Sequence, residues 1–326
     1  MIYIYFLTFF VSFVVLFKSA SLFVDSASGI ARVLNVPKLV IGIVLVSLAT
    51  TAPEFGVSVI AAIMGRSEIA LGNAIGSVIC DDGVALALAA LLAPATIFVN
   101  CRMLKTVGVF LIAIDILAYA LARNGAIGRV EGLCLILILC VYYAFILRSQ
   151  KGNLKRRTHR EPSPDSEEAP LQSEKEALKR LVLRFLLGLI GVASTSLVVV
   201  WAAKNIALYF SISEIIIGST IVAIGTSLPE ISTCITAALK GEGEIAVGNI
   251  IGADILNILW IIGVASMANP IKVDLDIINF SFPYMILIVV VMLVSMRIGC
   301  RLGKTKGLIL LGLYVLYIFL ILNLFI

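Results

Sequence analysis

The chain has 326 residues, of which 61% are hydrophobic and only 14% are charged. Its mean hydropathy of +1.11 excludes a soluble domain of this size, and its apolar runs are long enough to cross a bilayer, which predicts a polytopic membrane protein. The net charge of +5 comes from scattered basic residues, so we expect no nucleic-acid partner. The single histidine, His159, lies in a charged segment. Mechanisms that need a buried imidazole are therefore excluded.

Ten apolar runs predict ten spans in an all-α integral membrane fold. In chain order they cover residues 2–23, 37–63, 69–93, 104–122, 127–148, 180–208, 213–239, 245–268, 279–296 and 306–325. Residues 1–148 and 180–326 each hold five spans, and the charged segment 149–179 between them is expected to be a flexible tether. Because five is an odd number, the second half must enter the membrane from the opposite side, which predicts two inverted repeats.

The distribution of basic residues predicts the orientation in the membrane. With the N-terminus outside, the inner loops and helix ends carry Arg32, Lys38, Arg102, Lys105, Lys240, Arg297, Arg301, Lys304 and Lys306. The outer ones carry Arg66, Arg123, Arg129, Lys204 and Lys272. This excess, together with the basic linker on the inner side, predicts a cell-membrane protein with both termini outside and a cytoplasmic central loop.

The six cysteines, at positions 80, 101, 134, 140, 234 and 300, show no CxxC spacing. Nearly all of them lie inside or at the edge of apolar runs, which indicates small core residues.

Three acidic residues in or beside the spans receive separate interpretations. Glu68 and Glu244 each follow a glycine that can end one helix, and a carboxylate at the start of the next helix is favoured by the helix dipole. We interpret both as structural residues. Asp115 lies inside the fourth predicted span, and the sequence identifies no partner for it.

One stretch of the chain occurs twice. Residues 41–94 and 217–270 align without a gap at an offset of 176 residues, and about 19 of the 54 aligned positions are identical. Apolar composition alone does not supply that many identities, so we infer a duplicated unit. Each copy places a glutamate directly after a proline in an apolar run, as Pro53 with Glu54 and Pro229 with Glu230. A buried charge is costly in such a run, and a bound cation would offset that cost.

The residues around each proline are oxygen donors. Proline has no N–H, so it leaves the carbonyls of Ala49 and Gly225 without their helical partners. Such oxygens persist at membrane depth only when they line a cavity or meet an ion. Hydroxyls add neutral oxygens on the same turns, at Thr50, Thr51, Thr226 and Ser227. Hard ligands of this kind suit calcium, and they also suit sodium.

The helix that follows each glutamate supplies the second half of the predicted site. Its GNxxG pattern lets backbones approach closely in a membrane. Asp81 and Asn257 lie at equivalent positions, each 27 residues after its glutamate. Ser77 could add a hydroxyl one turn before Asp81, and Asp254 is a further candidate on a neighbouring helical face; Asp82 is a weaker one. Glu54, Glu230 and Asp81 would place up to three negative charges around one cavity, and one calcium ion with a proton, or several sodium ions, would bring them near neutrality.

At these residues the chain resembles the cation/calcium antiporter superfamily, and most closely the prokaryotic sodium/calcium exchangers. The match is specific for GTSLPE at 225–230 with GNIIGADILNIL at 248–259, and looser for ATTAPE at 49–54 with GNAIGSVICDDG at 72–83. The resemblance implies a central calcium site between Glu54 and Glu230, completed by backbone oxygens near Thr50 and Thr226. It also implies flanking sodium sites, formed by Ser47, Thr50, Thr51, Glu54 and Ser77 in one half and by Ala223, Thr226, Ser227, Glu230 and position 253 in the other. It further implies that the first and sixth spans slide over the other eight.

Sequence and resemblance together predict a secondary antiporter that exchanges calcium for sodium at the midplane, without a cofactor and as a monomer in the lipid bilayer. It is not expected to be an enzyme. Proton coupling stays open, because a crowded carboxylate cluster can also exchange a cation for protons. The GNxxE signature of the calcium/proton branch is absent, since glycine fills its fifth position at Gly76 and Gly252. A passive cation channel and an intramembrane aspartyl protease are less favoured; the protease reading lacks a GxGD motif.

Overall fold

The computed structural model describes residues 2–157, 171–210 and 223–325. Its helices are α1 (Ile2–Val33), α2 (Lys38–Ile41), α3 (Ser47–Thr50), α4 (Ala52–Ile63), α5 (Ser67–Cys80), α6 (Ala87–Leu92), α7 (Cys101–Ala122), α8 (Arg129–Arg157), α9 (Leu171–Tyr209), α10 (Ala223–Thr226), α11 (Leu228–Leu239), α12 (Gly243–Leu256), α13 (Ile262–Ala268), α14 (Phe282–Arg297) and α15 (Lys304–Phe325). The π-helical turns are Gly42–Val46, Asp81–Leu86, Asn257–Ile261 and Ile277–Ser281, and Ile298–Cys300 is a 3₁₀ turn. There are also four two-residue strands: β1 (Ile97–Phe98), β2 (Ala126–Ile127), β3 (Ile271–Lys272) and β4 (Arg301–Leu302). The predicted all-α membrane fold is confirmed.

Within the described ranges, eight helices are long and apolar enough to span a membrane, and a bent pair, Lys38–Thr50 with Ala52–Ile63, makes a ninth. The first ten residues of the predicted span 213–239 lie outside the described residues, and α11 is a shorter apolar helix within that span. The count of ten spans therefore stays a prediction.

Helices α1, α8 and α9 extend past the ends of the predicted spans. The first span is predicted to end at residue 23, and α1 continues beyond it to Val33, where polar side chains are paired: Asp25 Oδ2 lies 2.6 Å from Lys240 Nζ, and the Ser28 hydroxyl donates to Glu242 at 2.7 Å. In the predicted flexible linker, α8 reaches Arg157 and α9 begins at Leu171. The lysine, arginine, leucine and glutamate of these ends are strong helix formers. Residues 158–170 of the linker lie outside the described residues.

The two repeat helices that follow the glutamates form the centre of the molecule. In the spans Ser67–Leu92 and Gly243–Ala268, 72% and 83% of the most apolar window is buried, against 17% in Lys304–Asn323. The predicted close approach at the GNxxG glycines is confirmed in the second repeat. A Cβ at Gly252 would lie 2.6 Å from the Ile43 carbonyl oxygen. The two repeats therefore meet through backbone atoms beside the predicted site.

Helices α1 and α9 pack along each other at one side of this centre. A Cβ at Gly188 would lie 2.7 Å from the Phe23 backbone nitrogen, and one at Gly191 would lie 2.5 Å from the Ser19 hydroxyl. The rings of Phe23 and Phe185 lie 4.4 Å apart. Small residues on α9 thus let the two long helices lie close together as a pair.

Two short antiparallel sheets join the repeats at opposite ends of α7. At one end β1 pairs with β4, and at the other β2 pairs with β3. The N–H of Val99 donates to the carbonyl of Cys300 at 3.0 Å, and the N–H of Val273 donates to the carbonyl of Gly125 at 3.0 Å. The same junction between repeats is thus built twice, once on each face of the membrane protein.

The interpretation of the cysteines as core residues is right only for Cys80 and Cys234, which are buried. Cysteines 134 and 140 are exposed on α8. Cys101 and Cys300 form a disulfide with their Cα atoms 5.4 Å apart. The two residues are 199 positions apart in sequence, so only the meeting of β1 with β4 brings them together.

Candidate functional site

Each proline breaks a helix where the sequence predicts it. The first break lies between α3 and α4, where the helix bends by 47° beside Pro53. The second lies between α10 and α11, next to Pro229. Because proline lacks an N–H, the break leaves backbone carbonyls of the preceding turn free to face other partners. The breaks place the two glutamates in the first turns of α4 and α11.

Glu54 and Glu230 are brought together from the two repeats. Each side chain is only 1% exposed. The two carboxyl groups lie close enough to interact electrostatically and to share a hydrogen bond, yet among the described residues no donor reaches either Glu54 oxygen or Glu230 Oε2. Two ionised carboxylates can only accept hydrogen bonds, so their contact needs a proton or a cation between them. This is the arrangement expected of a cation site.

Hydroxyl groups of the first repeat reach across to the second. The Thr51 hydroxyl donates to Glu230 Oε1 at 3.3 Å, and the Thr50 hydroxyl donates to Asn249 Oδ1 at 3.1 Å. Asn249 is not among the site residues predicted from the sequence, although the GN dipeptide that occurs in both repeats was a signal for it. Its equivalent, Asn73, instead donates to Ser58 Oγ at 3.0 Å within its own repeat. The broken turn of one repeat thus contacts the continuous helix of the other.

Asp81 and Asn257 begin two π-helical turns, Asp81–Leu86 and Asn257–Ile261. Such turns are rare in proteins as a whole, and those that occur often lie at functional sites. They were not predicted from the sequence. Both side chains are 1% exposed, and within the described ranges Asp81 Oδ1 and Asn257 Oδ1 have no hydrogen-bond partner. Asp81 is an electrostatic neighbour of Glu230 and of Glu54. Its carboxyl group thus lies within electrostatic range of both glutamates, and its part in ion binding stays a prediction.

The remaining predicted ligands lie on the same elements. Ser47 is buried on α3 and donates its hydroxyl to the Ile43 carbonyl at 2.5 Å. Ser77 is buried on α5, and the Ser227 hydroxyl is buried without a partner among the described residues. Ala223 and Thr226 begin and end α10. Their part in ion binding stays a prediction.

Three further aspartates form a second buried group, which we call the aspartate cluster: Asp82, Asp115 and Asp254. All three are fully buried, and within the described structure neither oxygen of Asp115 or Asp254 accepts a hydrogen bond from a donor. Asp82 is an electrostatic neighbour of Asp115 and is within hydrogen-bonding reach of Asp254. Asp254, predicted as a ligand of the main site, thus lies with this cluster while remaining an electrostatic neighbour of Asp81. Consecutive acids at 81 and 82 were the available signal, because neighbouring helical residues point to different sides.

No buried lysine, arginine or histidine compensates these carboxyl groups among the described residues. In the same ranges, no three histidine, cysteine, aspartate or glutamate side chains converge as a ready metal site. An ion held between Glu54 and Glu230 would therefore also take oxygens from hydroxyls, amides and the backbone. This mixed oxygen set is chemically suited to hard cations.

Repeated proline-glutamate breaks at the centre of a polytopic α-helical protein define the class of an ion-transporting membrane protein. A family model described as "Sodium/calcium exchanger protein" matches residues 4–148 and 180–323. The chain belongs to this family, within the cation/calcium antiporter superfamily, which confirms the resemblance. It is a multi-pass membrane antiporter and not an enzyme.

Individual relatives extend over nearly the whole chain. Inner membrane protein YrbG of Escherichia coli is 32% identical over 92% of this chain and 91% of its own length. Sodium/calcium exchanger MaX1 of Methanosarcina acetivorans is 29% identical over 98% of both chains. The solved structure of the sodium-calcium exchanger NCX_Mj, soaked with 10 mM Na+ and zero Ca2+, superposes with a TM-score of 0.82 at 26% identity, covering 98% of this chain and 99% of that one.

Proposed function

We propose that this chain exchanges calcium for sodium across the membrane. The observation that carries the proposal is the buried Glu54 and Glu230 pair, contributed by two repeats, with three carboxylate oxygens that no donor reaches in the part of the chain that the structure describes. The choice of calcium and sodium is supported by the similarity to MaX1, which aligns over nearly its whole length and is named a sodium/calcium exchanger.

The site chemistry accounts for exchange. Calcium takes roughly six to eight oxygen ligands, which two carboxylates, the neighbouring hydroxyls and the carbonyls of the broken turns can supply. A divalent ion would neutralise the charge of Glu54 and Glu230. Sodium ions binding to the same carboxylates would remove ligands that calcium needs. Occupancy by one ion species therefore excludes the other. The protein changes between its outward-open and inward-open conformations only when the site holds calcium or sodium.

Alternating access follows from the proposed arrangement of ten spans as two inverted five-helix repeats. In this arrangement the closely packed α1 and α9 slide over the remaining helices, so that the site opens to one side at a time. We further propose that both termini lie outside and that the central loop is cytoplasmic, because the inner loops carry more basic residues.

Asp81 supports proton coupling as a second candidate. It adds a third carboxylate to the glutamate pair, whereas the equivalent Asn257 is neutral. A site with an additional acid can exchange a cation for protons as well as for sodium.

The test is calcium-45 uptake by the purified full chain in proteoliposomes, with internal sodium as one condition and an imposed proton gradient as the other. A sodium ionophore and a protonophore collapse each gradient in turn. Uptake that needs internal sodium supports sodium/calcium exchange. Uptake that only the proton gradient drives contradicts it and supports the proton alternative, while uptake that needs no counter-ion would indicate a channel.

A further inference from the structure

The two equivalent junctions between the repeats differ in one respect: only one of them carries a pair of cysteines. The matched hydrogen bonds from Val99 to Cys300 and from Val273 to Gly125 identify Cys300 and Gly125 as counterparts. Two residues after these valines stand Cys101 and Leu275, which are counterparts in the same sense. The fold thus builds one junction with glycine and leucine. The disulfide is not required to form this geometry.

The backbone conformation at position 300 is one that cysteine rarely adopts. Cys300 has φ of 51° and Gly125 has φ of 79°, so both lie in the left-handed region. That region is readily adopted by glycine and disfavoured for a residue with a Cβ. Glycine would therefore suit position 300 better for the backbone alone. A cysteine at this position indicates that its thiol has a role.

Charge places the cysteine junction on the cytoplasmic side, under the orientation proposed above. Residues 95–108 and 296–307 contain Arg102, Lys105, Arg297, Arg301, Lys304 and Lys306, and no acidic residue. The opposite junction, residues 120–132 and 268–280, balances Arg123, Arg129 and Lys272 with Glu131, Asp274 and Asp276. Basic loops favour the cytoplasm. The disulfide therefore faces the compartment in which thiols are normally kept reduced.

The surroundings of Cys101 are those of a redox-active cysteine. It is the first residue of α7, and Arg297 Nη1 lies 2.8 Å from its sulfur. A helix N-terminus and a neighbouring arginine are typical of cysteines that react with oxidants. Both Cys101 and Cys300 are half-buried, so small reagents can reach them.

We propose that Cys101 and Cys300 form a reversible, redox-responsive crosslink between the two repeats on the cytoplasmic face. A peroxide closes it: one thiol reduces the peroxide to water and becomes a sulfenic acid, and the second thiol displaces a second water as the S–S bond forms. The two cysteines together lose two electrons and two protons. A cytosolic dithiol opens the bond, is itself oxidised to a disulfide and returns both thiols.

The experiment counts free thiols on the full chain in intact cells, before and after hydrogen peroxide and after recovery. Acid-trapped protein is denatured and labelled with a maleimide polymer, which shifts its gel mobility once per free thiol. We expect all six thiols to be free in unstressed cells, two fewer after peroxide, and all six again after recovery. Cys101→Ser and Cys300→Ser should each show five thiols throughout. Cys134→Ser is the matched control, since it removes an exposed cysteine but should keep the loss of two.

Vesicles of defined orientation test the face. A membrane-impermeant phosphine should open the oxidised bond in inside-out vesicles and not in right-side-out vesicles. The proposal is overturned if the wild-type count never changes, if Cys101→Ser still loses two thiols, or if the phosphine acts only from the outside. Thiol counts and phosphine accessibility do not depend on transport. A negative result would therefore contradict the crosslink without bearing on the proposed exchange of ions. The oxidised protein should also melt about 5 °C above the reduced one, a difference that Cys101→Ser removes.

Discussion

The broken helices of the two repeats place Glu54 and Glu230 in equivalent positions, whereas the helices that follow them differ in chemistry. The equivalent pairs that differ include Ser77 with Ala253, Val78 with Asp254, Asp81 with Asn257 and Asp82 with Ile258. Features shared by both copies are those that a duplicated ion site needs. Features found in one copy can adjust which ion is coupled without changing the fold. The comparison therefore separates residues that hold the ion from residues that modify the exchange.

The largest expected effect is on the shared glutamates. Glu54→Gln and Glu230→Gln should each lower calcium uptake about a hundredfold or more, because each removes one charge from a buried, interacting pair. Calcium-45 uptake in proteoliposomes measures this. Glu68→Gln is the matched control, since Glu68 lies in the first turn of α5, where it is interpreted as structural, and it should stay within about twofold of the wild type. Full uptake by either Glu54→Gln or Glu230→Gln would contradict an equal role for the two repeats.

The contact between the repeats at Gly252 gives the next effect. Gly252→Ala should lower the free energy of unfolding by about 1–3 kcal/mol, because its Cβ would lie 2.6 Å from the Ile43 carbonyl oxygen. Thermal melting of the purified chain measures it. Gly56→Ala, with no described atom within 4 Å of its Cβ, should leave stability equal or slightly higher. Equal melting of the two variants would mean that this close approach does not support the fold.

The equivalent positions Asp81 and Asn257 differ in charge, and we expect substitutions there to affect ion coupling more than folding. Asp81→Asn makes the two repeats alike at this position, and it removes one group at which protons compete with cations. We expect calcium uptake to change several-fold in its sodium dependence and to vary less with pH, since uptake falls in acid wherever protons occupy the carboxylates. Asn257→Asp should have the opposite effect and steepen the pH profile. If both variants show the same sodium dependence and pH dependence of calcium uptake as the wild type, positions 81 and 257 have no role in coupling.

The smallest effect is expected at the ion pair between α1 and the loop before α12. Lys240 Nζ contacts Asp25 Oδ2 at 2.6 Å, and the equivalent of Lys240 in the first repeat is Met64, which cannot make such a pair. Asp25 is 61% exposed, so Asp25→Asn should change the transport rate by no more than about twofold to fivefold. The charge reversal Asp25→Lys with Lys240→Asp should restore the wild-type rate. A larger loss that the reversal does not rescue would point to another role for Asp25.

The sequence predicts those features of the site that leave local patterns. The proline-glutamate pairs predict the helix breaks, and the gapless repeat predicts that Asp81 and the glutamates meet. Glu68 and Glu244 lie in the first turns of α5 and α12, shortly after Gly65 and Gly241, which have positive φ, as the pattern indicates.

Features that depend on distant contacts could not be predicted in this way. The disulfide joins residues in different repeats, and the electrostatic interaction between Asp82 and Asp115 depends on how α7 packs. The π-helical turns that begin at Asp81 and Asn257 have no strong sequence signal. The extension of α1 beyond the predicted first span could not be foreseen for the same reason, since Asp25 pairs with Lys240, more than two hundred positions away in the sequence.

Direct binding of calcium to the purified full chain tests the central claim, that one glutamate from each repeat holds the same ion. Calorimetric titration of the wild type, Glu54→Gln and Glu230→Gln, each with and without sodium, is the measurement. We predict that the wild type binds calcium in competition with sodium, and that each single variant loses this binding although its fold and thermal melting are retained. Calcium binding of wild-type strength in either variant would contradict the shared site.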